Sequence, residues 1–123
     1  MKILIAEDDL MSLAYFNNIL KRIDCTIIHA NSGKAAVGIV AMRDDITCVF
    51  MDIKLPIMDG IEATKLIKKI RPNLPVIALT AFAFNEERQK IMSSGCDDCI
   101  SKPYQINEII EIVKKLETKL YRN

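Results

Sequence analysis

The sequence predicts an α/β fold in which a parallel sheet of five strands lies between two layers of helices. Short apolar runs such as residues 3–6 and 76–79 alternate with longer stretches whose apolar residues recur at helical spacing. Because these runs are apolar throughout, their strands are expected to be buried on both faces. The 123 residues suffice for one hydrophobic core but not for two, so we expect a single domain over residues 1–123.

Five strand–helix units follow one another without an internal linker. The strands are predicted at about residues 2–7, 25–30, 47–52, 75–80 and 98–101. The helices are predicted at about residues 10–22, 33–42, 59–71, 85–95 and 105–120. Parallel strands joined by right-handed crossovers place helices on both faces of the sheet, which gives a doubly wound sandwich of three layers.

The helices carry suitable residues at their ends and on their buried faces. Ser32 suits the N-cap of the second helix, and Asp59, with a glutamate three residues later, suits that of the third. Pro72 follows the third helix, and Gly95 ends the fourth. The first and fifth helices have apolar stripes, formed by Leu13, Phe16, Leu20 and Ile23 and by Ile106, Ile109, Ile110, Val113, Leu116 and Leu120. We interpret these stripes as core positions.

The composition argues against several classes of function. A net charge of +1 with both signs interspersed gives no basis for direct nucleic-acid binding or attachment to an anionic membrane. No apolar stretch approaches the roughly 20 residues of a membrane span, and residues 1–6 lack the regions of a signal peptide. The four cysteines do not form the pattern of a small disulfide-stabilised protein, so we expect a cytoplasmic location.

A polar residue ends or follows four of the five predicted strands. These are Glu7, Asp8 and Asp9 after the first strand, Asp52 at the end of the third, Thr80 at the end of the fourth and Lys102 after the fifth. Carboxyl ends of parallel strands share one edge of the sheet, where ligands bind, so we expect these side chains to converge. Crowded carboxylates repel one another, and Mg²⁺ both relieves that repulsion and prefers oxygen ligands. An acidic loop that only caps the first helix is the alternative for residues 7–9 taken alone.

Asp52 follows a buried apolar run, so its carboxylate should lie at a buried site and not on an open surface. Such a carboxylate can attack phosphorus and form an aspartyl phosphate. Lys102 would supply the opposite charge, and the Thr80 hydroxyl and the Ala81 N–H would donate to phosphoryl oxygens. Taken singly, Lys102 could be a surface lysine before a turn proline and Thr80 a β-branched strand end. Together they favour a phosphoryl site that uses Mg²⁺.

The motifs around these residues closely resemble those of the receiver (phosphoacceptor) domain of two-component response regulators and hybrid sensor histidine kinases. The motifs are Ile-Ala-Glu-Asp-Asp at 5–9, Met-Asp-Ile-Lys-Leu-Pro-Ile-Met-Asp-Gly at 51–60, Ala-Leu-Thr-Ala at 78–81 and Gly-Cys-Asp-Asp-Cys-Ile-Ser-Lys-Pro at 95–103. The resemblance covers the whole chain and is strongest to the receivers of hybrid kinases. It implies a flavodoxin-like sheet in the order 2-1-3-4-5 and a cis peptide bond between Lys102 and Pro103.

The resemblance also implies the metal ligands and the phosphorylated residue. Glu7 and Asp8 would bind Mg²⁺ directly or through water, together with Asp52 and the backbone carbonyl of Lys54. Asp52 would be phosphorylated by a histidine kinase or a histidine phosphotransfer domain. On this basis the chain is expected to be a phosphorelay signalling domain that catalyses only its own phosphorylation and dephosphorylation, as a monomer or weak dimer.

The resemblance assigns the remaining roles to residues of the last two strands. Thr80, Ala81 and Lys102 would contact the phosphoryl group, with Thr80 as the switch hydroxyl. The second switch position of receivers usually holds Tyr or Phe, and here it is Cys99. A thiol is too small to replace that ring, so we expect the ring movement of the switch to be absent. Phe82, two residues after the threonine, is expected to shield the phosphoryl group partly from water, with packing against the fourth helix as the alternative.

Two enzyme classes on the same fold are the alternatives to a signalling domain. A phosphohydrolase with an aspartate nucleophile needs a second acid two residues later, where Lys54 stands. A flavin or redox protein needs a glycine-rich phosphate loop, and the four glycines are scattered. A structural module with an inactive site would not explain why every position of the site is present.

Three further features receive less weight. Cys96 and Cys99 have the C-x-x-C spacing of a redox pair or half a zinc site, but the motif enters a strand where redox motifs open a helix. His29 is too isolated to be a phosphodonor, and a polar strand end is the better interpretation. Phe84 and Tyr104, together with Phe82, form either an apolar docking surface or part of the core.

Overall fold

The computed structural model contains a five-stranded parallel sheet in the order β2-β1-β3-β4-β5, which confirms the predicted fold. The strands are β1 (Lys2–Ala6), β2 (Thr26–Ala30), β3 (Cys48–Asp52), β4 (Val76–Thr80) and β5 (Asp98–Ser101). The helices are α1 (Leu10–Leu20), α2 (Gly33–Met42), α3 (Gly60–Ile70), α4 (Asn85–Ser93) and α5 (Ile106–Tyr121). Each predicted end lies within two residues of the observed one.

The structure describes residues 1–81 and 85–121, and the side chains of these residues except 85 and 119–121. The predictions for Phe82 and Phe84, and for the side chain of Leu120, therefore lie outside the described part of the chain. No helix in the described part of the chain combines the length and the apolar composition needed to cross a membrane.

Side chains alternate between the two faces of the sheet and build one core on each face. In β1, Leu4 packs in the core covered by α2, α3 and α4, whereas Ile3 packs in the core covered by α1 and α5. All five residues of β3 and all five of β4 are buried, as expected for central strands of a parallel sheet. Covering both faces leaves the carboxyl ends of the strands as the open edge.

The predicted caps are present. The Asp9 carboxylate accepts hydrogen bonds from the Met11 and Ser12 N–H groups at the start of α1. Ser32 caps α2 through the Ala35 N–H, and Asp59 caps α3. Gly95, with φ at 103°, ends α4 in a conformation that glycine adopts without strain.

Asp97 fixes the turn into β5 through its carboxylate. One of its carboxylate oxygens accepts hydrogen bonds from the Val76 N–H at 2.8 Å and from the Lys68 Nζ at 2.7 Å. Lys68 also donates to the Leu74 carbonyl at 2.8 Å. The end of α3 is thereby tied to the starts of β4 and β5, so the strands that carry Thr80 and Lys102 enter the sheet in a fixed register.

Gly60 lets the start of α3 pack directly against the end of β3. A Cβ atom at this position would lie 2.2 Å from the Asp52 carbonyl oxygen and 2.7 Å from the Ile53 Cα. We expect Gly60→Ala to lower the free energy of unfolding by about 1–3 kcal/mol or more, because backbone atoms cannot move aside as a flexible side chain does. Urea denaturation of the purified chain measures this loss.

Gly38 provides the matched control for that substitution. It lies inside α2, is exposed, and a Cβ there would meet nothing within 4 Å. Gly38→Ala should therefore raise the free energy of unfolding by about 0.5–1 kcal/mol through helix propensity. Equal stability of the two alanine variants would contradict the close approach at Gly60.

Candidate functional site

Three carboxylates meet at the carboxyl edge of the sheet. Asp52 is the last residue of β3, and Glu7 and Asp8 directly follow β1, its neighbour in the sheet. One oxygen from each of the three carboxylates lies within 4.8 Å of the other two. Glu7 and Asp52 are buried, whereas Asp8 is exposed. Parallel pairing of β1 with β3 thus produces the convergence that the strand ends predicted.

Lys102 brings a positive charge into this cluster. Its Nζ atom lies 3.0 Å from Asp52 Oδ2 and 3.8 Å from Glu7 Oε1. The Lys102 backbone N–H donates to the Thr80 carbonyl at 2.8 Å, and the predicted cis bond joins Lys102 to Pro103. The second oxygen of Asp52, Oδ1, accepts the Lys54 N–H at 3.1 Å. Both oxygens of Asp52 are thus oriented by donors.

Glu7 is the carboxylate whose charge is least compensated. Burial, followed by its interaction with Asp52, raises the pKa of Glu7 to about 7. Its Oε2 atom accepts a 3.5 Å hydrogen bond from the Asp9 N–H, but its buried Oε1 has no hydrogen-bond partner among the described residues. The ammonium group of Lys102 is too distant to serve as a donor. A cation bound at this carboxylate would stabilise the ionised form of Glu7.

The chemistry of this donor set fits Mg²⁺. The three ligand atoms that the cluster offers are carboxylate oxygens, which hard divalent cations prefer. The orphaned Glu7 oxygen and the exposed Asp8 carboxylate would both gain a partner from the ion. With two buried carboxylates and one exposed carboxylate, the site is open enough on one side for Mg²⁺ to keep several of its waters.

The raised pKa of Glu7 predicts a pH-dependent affinity for Mg²⁺. Below about pH 7 Glu7 holds a proton, and the ion must displace it before it can bind that oxygen. We expect the Mg²⁺ dissociation constant to be nearly constant above pH 8 and to rise by up to about tenfold per pH unit below 7. Isothermal titration calorimetry at pH 6, 7 and 8 measures this dependence.

Two variants separate the contribution of Glu7 to this pH dependence from the contributions of other titratable groups. Glu7→Gln cannot lose a proton there, so its weaker Mg²⁺ affinity should not change between pH 6 and 8. The ring of His29 contacts the Glu7 carbonyl oxygen at 2.7 Å, and His29→Gln should retain the wild-type dependence. If only the His29 variant lost the dependence, Glu7 would not be the group responsible.

The predicted switch residues surround the same edge. Thr80 is buried at the end of β4, and Ala81 follows it with an exposed side chain. Cys99 lies on β5 in register with Ala78 and is partly buried. Their roles in binding a phosphoryl group and in switching stay predictions. The sulfur atoms give no support to redox or zinc chemistry, because burial raises the pKa of Cys96 to about 11 and also raises that of Cys99.

Tyr104 is the residue of this region whose place the sequence did not settle. It is buried, and its ring packs edge-on against Phe16 with centroids 5.3 Å apart, so it belongs to the core and not to an exposed docking surface. Its hydroxyl also lies close to the acidic cluster. Burial, with Glu7 and Asp52 nearby, raises the pKa of Tyr104 far above its usual value.

The model of the response regulator receiver domain family matches residues 3–114 of the sequence. The chain belongs to the response regulator receiver domain family. It is thus a receiver domain of two-component signalling, as the strand-end motifs indicated. The curated relatives of the receiver include hybrid signal transduction histidine kinase I of Dictyostelium discoideum, 32% identical over 120 residues. They also include the polar-differentiation response regulator DivK of Brucella abortus, 33% identical over 115 residues.

The two relatives differ in how much of their length the receiver covers. The match uses 91% of this chain in both cases, but it covers 7% of the Dictyostelium kinase and 92% of DivK. The chain thus spans a small fraction of the hybrid kinases it matches and nearly the full length of a small response regulator.

Solved receiver structures superpose closely on this one. The receiver domain of the sensor histidine kinase PA1611 from Pseudomonas aeruginosa has a TM-score of 0.86 at 27% identity, covering 94% of this chain and 95% of that one. That protein was crystallised with a magnesium ion in its active-site cleft. The receiver of Ssk1 from Saccharomyces cerevisiae, solved in complex with the histidine phosphotransfer protein Ypd1, has a TM-score of 0.87 at 26% identity. The coverage there is 94% of this chain and 88% of that one.

Proposed function

We propose that Asp52 is the phosphoacceptor of this receiver and takes a phosphoryl group from a phosphohistidine in a reaction that needs Mg²⁺. The observation that carries the proposal is the convergence of Glu7, Asp8 and Asp52 within 4.8 Å of one another, with Lys102 Nζ 3.0 Å from Asp52. A nucleophilic carboxylate, oxygen ligands for a cation and a fixed ammonium group are the parts that phosphoryl transfer to an aspartate requires.

Each residue of the site has a defined task in this reaction. An Asp52 oxygen attacks phosphorus, the new O–P bond forms, and the P–N bond breaks so that its electron pair returns to the imidazole of the donor. The Lys54 N–H and Lys102 orient the two Asp52 oxygens before attack. Glu7, Asp8, Asp52 and the Lys54 carbonyl would hold Mg²⁺. The bound ion would offset charge on the incoming phosphoryl oxygens. Lys102 then stabilises the charge of the acyl phosphate.

The acyl phosphate would be read out through the end of β4. The phosphoryl oxygens are new acceptors, and we propose that the Thr80 hydroxyl and the Ala81 N–H donate to them and draw their loop toward the site. In this receiver the adjoining switch position on β5 holds Cys99, whose small side chain cannot repeat the movement of a ring. Phosphorylation would shift the population between an inactive and an active conformation. The size of the shift depends on how much more strongly the phosphoryl group is stabilised in one conformation than in the other.

The comparisons support a histidine kinase or a histidine phosphotransfer domain as the partner. One structural neighbour was solved in complex with a histidine phosphotransfer protein, and curated relatives include hybrid histidine kinases. We propose that residues 1–123 form one receiver domain that acts in the cytoplasm as a monomer or weak dimer, with no direct nucleic-acid binding. Its net charge of +1 favours a protein partner over a nucleic acid.

Labelling with a small phosphodonor tests the proposal. The chain incubated with acetyl phosphate and Mg²⁺ should gain one phosphoryl group that is stable to acid and released by hydroxylamine. Removing Mg²⁺ with EDTA should prevent the labelling, and a phosphorylated histidine phosphotransfer domain should replace acetyl phosphate as donor. Repeated turnover of a small phosphoester without a labelled intermediate would instead indicate a phosphohydrolase.

A further inference from the structure

Two buried oxygens near the site lack hydrogen-bond partners among the described residues. One is Oε1 of Glu7 and the other is the hydroxyl oxygen of Tyr104. Both side chains are more than nine-tenths buried, with exposed fractions of 2% and 6%. Buried polar atoms are rarely left unpaired, and here one is an acceptor and the other carries a proton to donate.

The ring of Tyr104 is held from several sides, so its hydroxyl has a defined position. It packs edge-on against Phe16, which in turn packs edge-on against Phe50 of β3 with centroids 4.9 Å apart. The Tyr15 hydroxyl donates to the Tyr104 carbonyl at 3.1 Å. Lys102 Nζ lies 5.9 Å from the centre of the Tyr104 ring.

The environment of the Tyr104 hydroxyl favours donation to a carboxylate. Burial keeps the phenol protonated, the neighbouring Glu7 and Asp52 charges raise its pKa further, and the close approach of the hydroxyl to the Glu7 side chain adds to the rise. Asp52 already accepts from Lys102 and from the Lys54 N–H, whereas Glu7 Oε1 accepts from neither. Glu7 is therefore the acceptor that needs this donor.

We propose that Tyr104 is a positioning residue of the metal site. Its hydroxyl has no hydrogen-bond partner among the described residues, and by a small movement it would donate to Oε1 of ionised Glu7 and fix the carboxylate for cation binding. The inference rests on the proposed function, because it assumes that Glu7 holds Mg²⁺. Replacing a residue that orients a metal ligand by a hydrogen bond, without binding the metal itself, typically weakens metal affinity by 10- to 100-fold. In this proposal Tyr104 acts on the metal through Glu7.

Mg²⁺ binding by four forms of the chain tests the inference. Calorimetry at pH 8 would compare wild type, Tyr104→Phe, Glu7→Gln and the double variant. Tyr104→Phe retains the ring that packs on Phe16, and it should raise the Mg²⁺ dissociation constant about tenfold. In the Glu7→Gln background the same substitution should have less than a twofold effect, since the residue it acts through is already altered.

The outcomes distinguish the two proposals. If Glu7→Gln weakens Mg²⁺ binding but Tyr104→Phe does not, the role of Tyr104 is wrong and the metal site stands. Equal tenfold losses in both backgrounds would also overturn it, because Tyr104 would then act by packing alone. If Glu7→Gln leaves the affinity unchanged, Glu7 is not a ligand and both proposals fail.

A control and a second measurement exclude a simple loss of folding. Tyr15→Phe removes a neighbouring hydroxyl that is bonded to a backbone carbonyl, and it should leave the Mg²⁺ affinity unchanged. In Mg²⁺-free buffer, the ring Cζ resonance of Tyr104 should move between wild type and Glu7→Gln in a tyrosine-labelled sample. The Tyr15 resonance should stay in place. A Tyr104 resonance that is identical in the two proteins would overturn the hydrogen bond even if the Phe variant did not fold.

Discussion

Replacing Asp52 with asparagine should abolish the stable, hydroxylamine-sensitive labelling of the receiver by acetyl phosphate and by a phosphohistidine donor. An amide has no anionic oxygen to attack phosphorus, and no other carboxylate of the site has both oxygens oriented by donors. Glu7 has one orphaned oxygen, and Asp8 is exposed. We expect incorporation to fall from near one phosphoryl group per chain to background, as measured by intact mass and by phosphate-affinity electrophoresis.

The matched control for this variant is Asp59→Asn. Asp59 lies in the loop that follows β3, is exposed, and caps α3 through the Glu62 N–H. Asparagine is an equally good N-cap, so neither stability nor labelling should change. Labelling that persisted at the wild-type level in Asp52→Asn would move the acceptor elsewhere and refute the proposed function.

Asp52→Asn should also change the free chain in a way that a merely inactive variant would not. Asp52 is, after burial, the main reason for the raised pKa of Glu7. Without its charge the pKa of Glu7 should fall toward its usual value. In the absence of Mg²⁺, the free energy of unfolding of the wild type should fall as pH rises from about 4.5, the usual pKa of a glutamate, to about 7, the pKa of Glu7 in the folded chain. In Asp52→Asn the free energy of unfolding should fall less over the same pH range. Thermal unfolding at pH 5 and pH 8 measures the difference.

The sequence predicted the site because the strands of a parallel sheet all end at the same edge. Residues at the ends of neighbouring strands therefore lie close together even when they are far apart in the chain. Each apolar run identified a buried strand, and the polar residue that ends it had to lie on a single edge of the sheet. Asp52 and Lys102 are 50 residues apart in the chain, yet their charged atoms lie 3.0 Å apart. The strand order itself came from resemblance, since strand periodicity does not specify which strands are neighbours.

Other features depend on three-dimensional packing that no pattern in the sequence expresses. Exposure separates Glu7 from Asp8 although they are adjacent, and burial raises the pKa of Glu7 to about 7. Tyr104 could have been a docking residue or a core residue, and its contact with Phe16 decides this. Ile57 adopts a positive φ of 68°, in a turn closed by the Met58 N–H and the Pro56 carbonyl, where sequence rules favour glycine.

Replacing Lys102 with methionine should slow the phosphorylation of Asp52 by about 10²- to 10³-fold, the usual cost of losing one fixed donor to a developing negative charge. Methionine retains an unbranched apolar stem of similar size and removes the charged, hydrogen-bond-donating ammonium group. Lys102 makes the 3.0 Å contact with Asp52 and is the nearest cation to Glu7, so the variant leaves the carboxylates without their ammonium partner. The initial rate of labelling at saturating Mg²⁺ measures the effect.

The same variant should bind Mg²⁺ at least as tightly as the wild type at pH 8, because the ion no longer shares the cluster with a positive charge. A slower reaction with undiminished Mg²⁺ affinity assigns Lys102 to the phosphoryl group and not to the metal. Lys65→Met, on an exposed position of α3, controls for the loss of one lysine and should change neither quantity. If Lys102→Met and Lys65→Met were labelled at the same rate, the charge of Lys102 would have no part in the transfer.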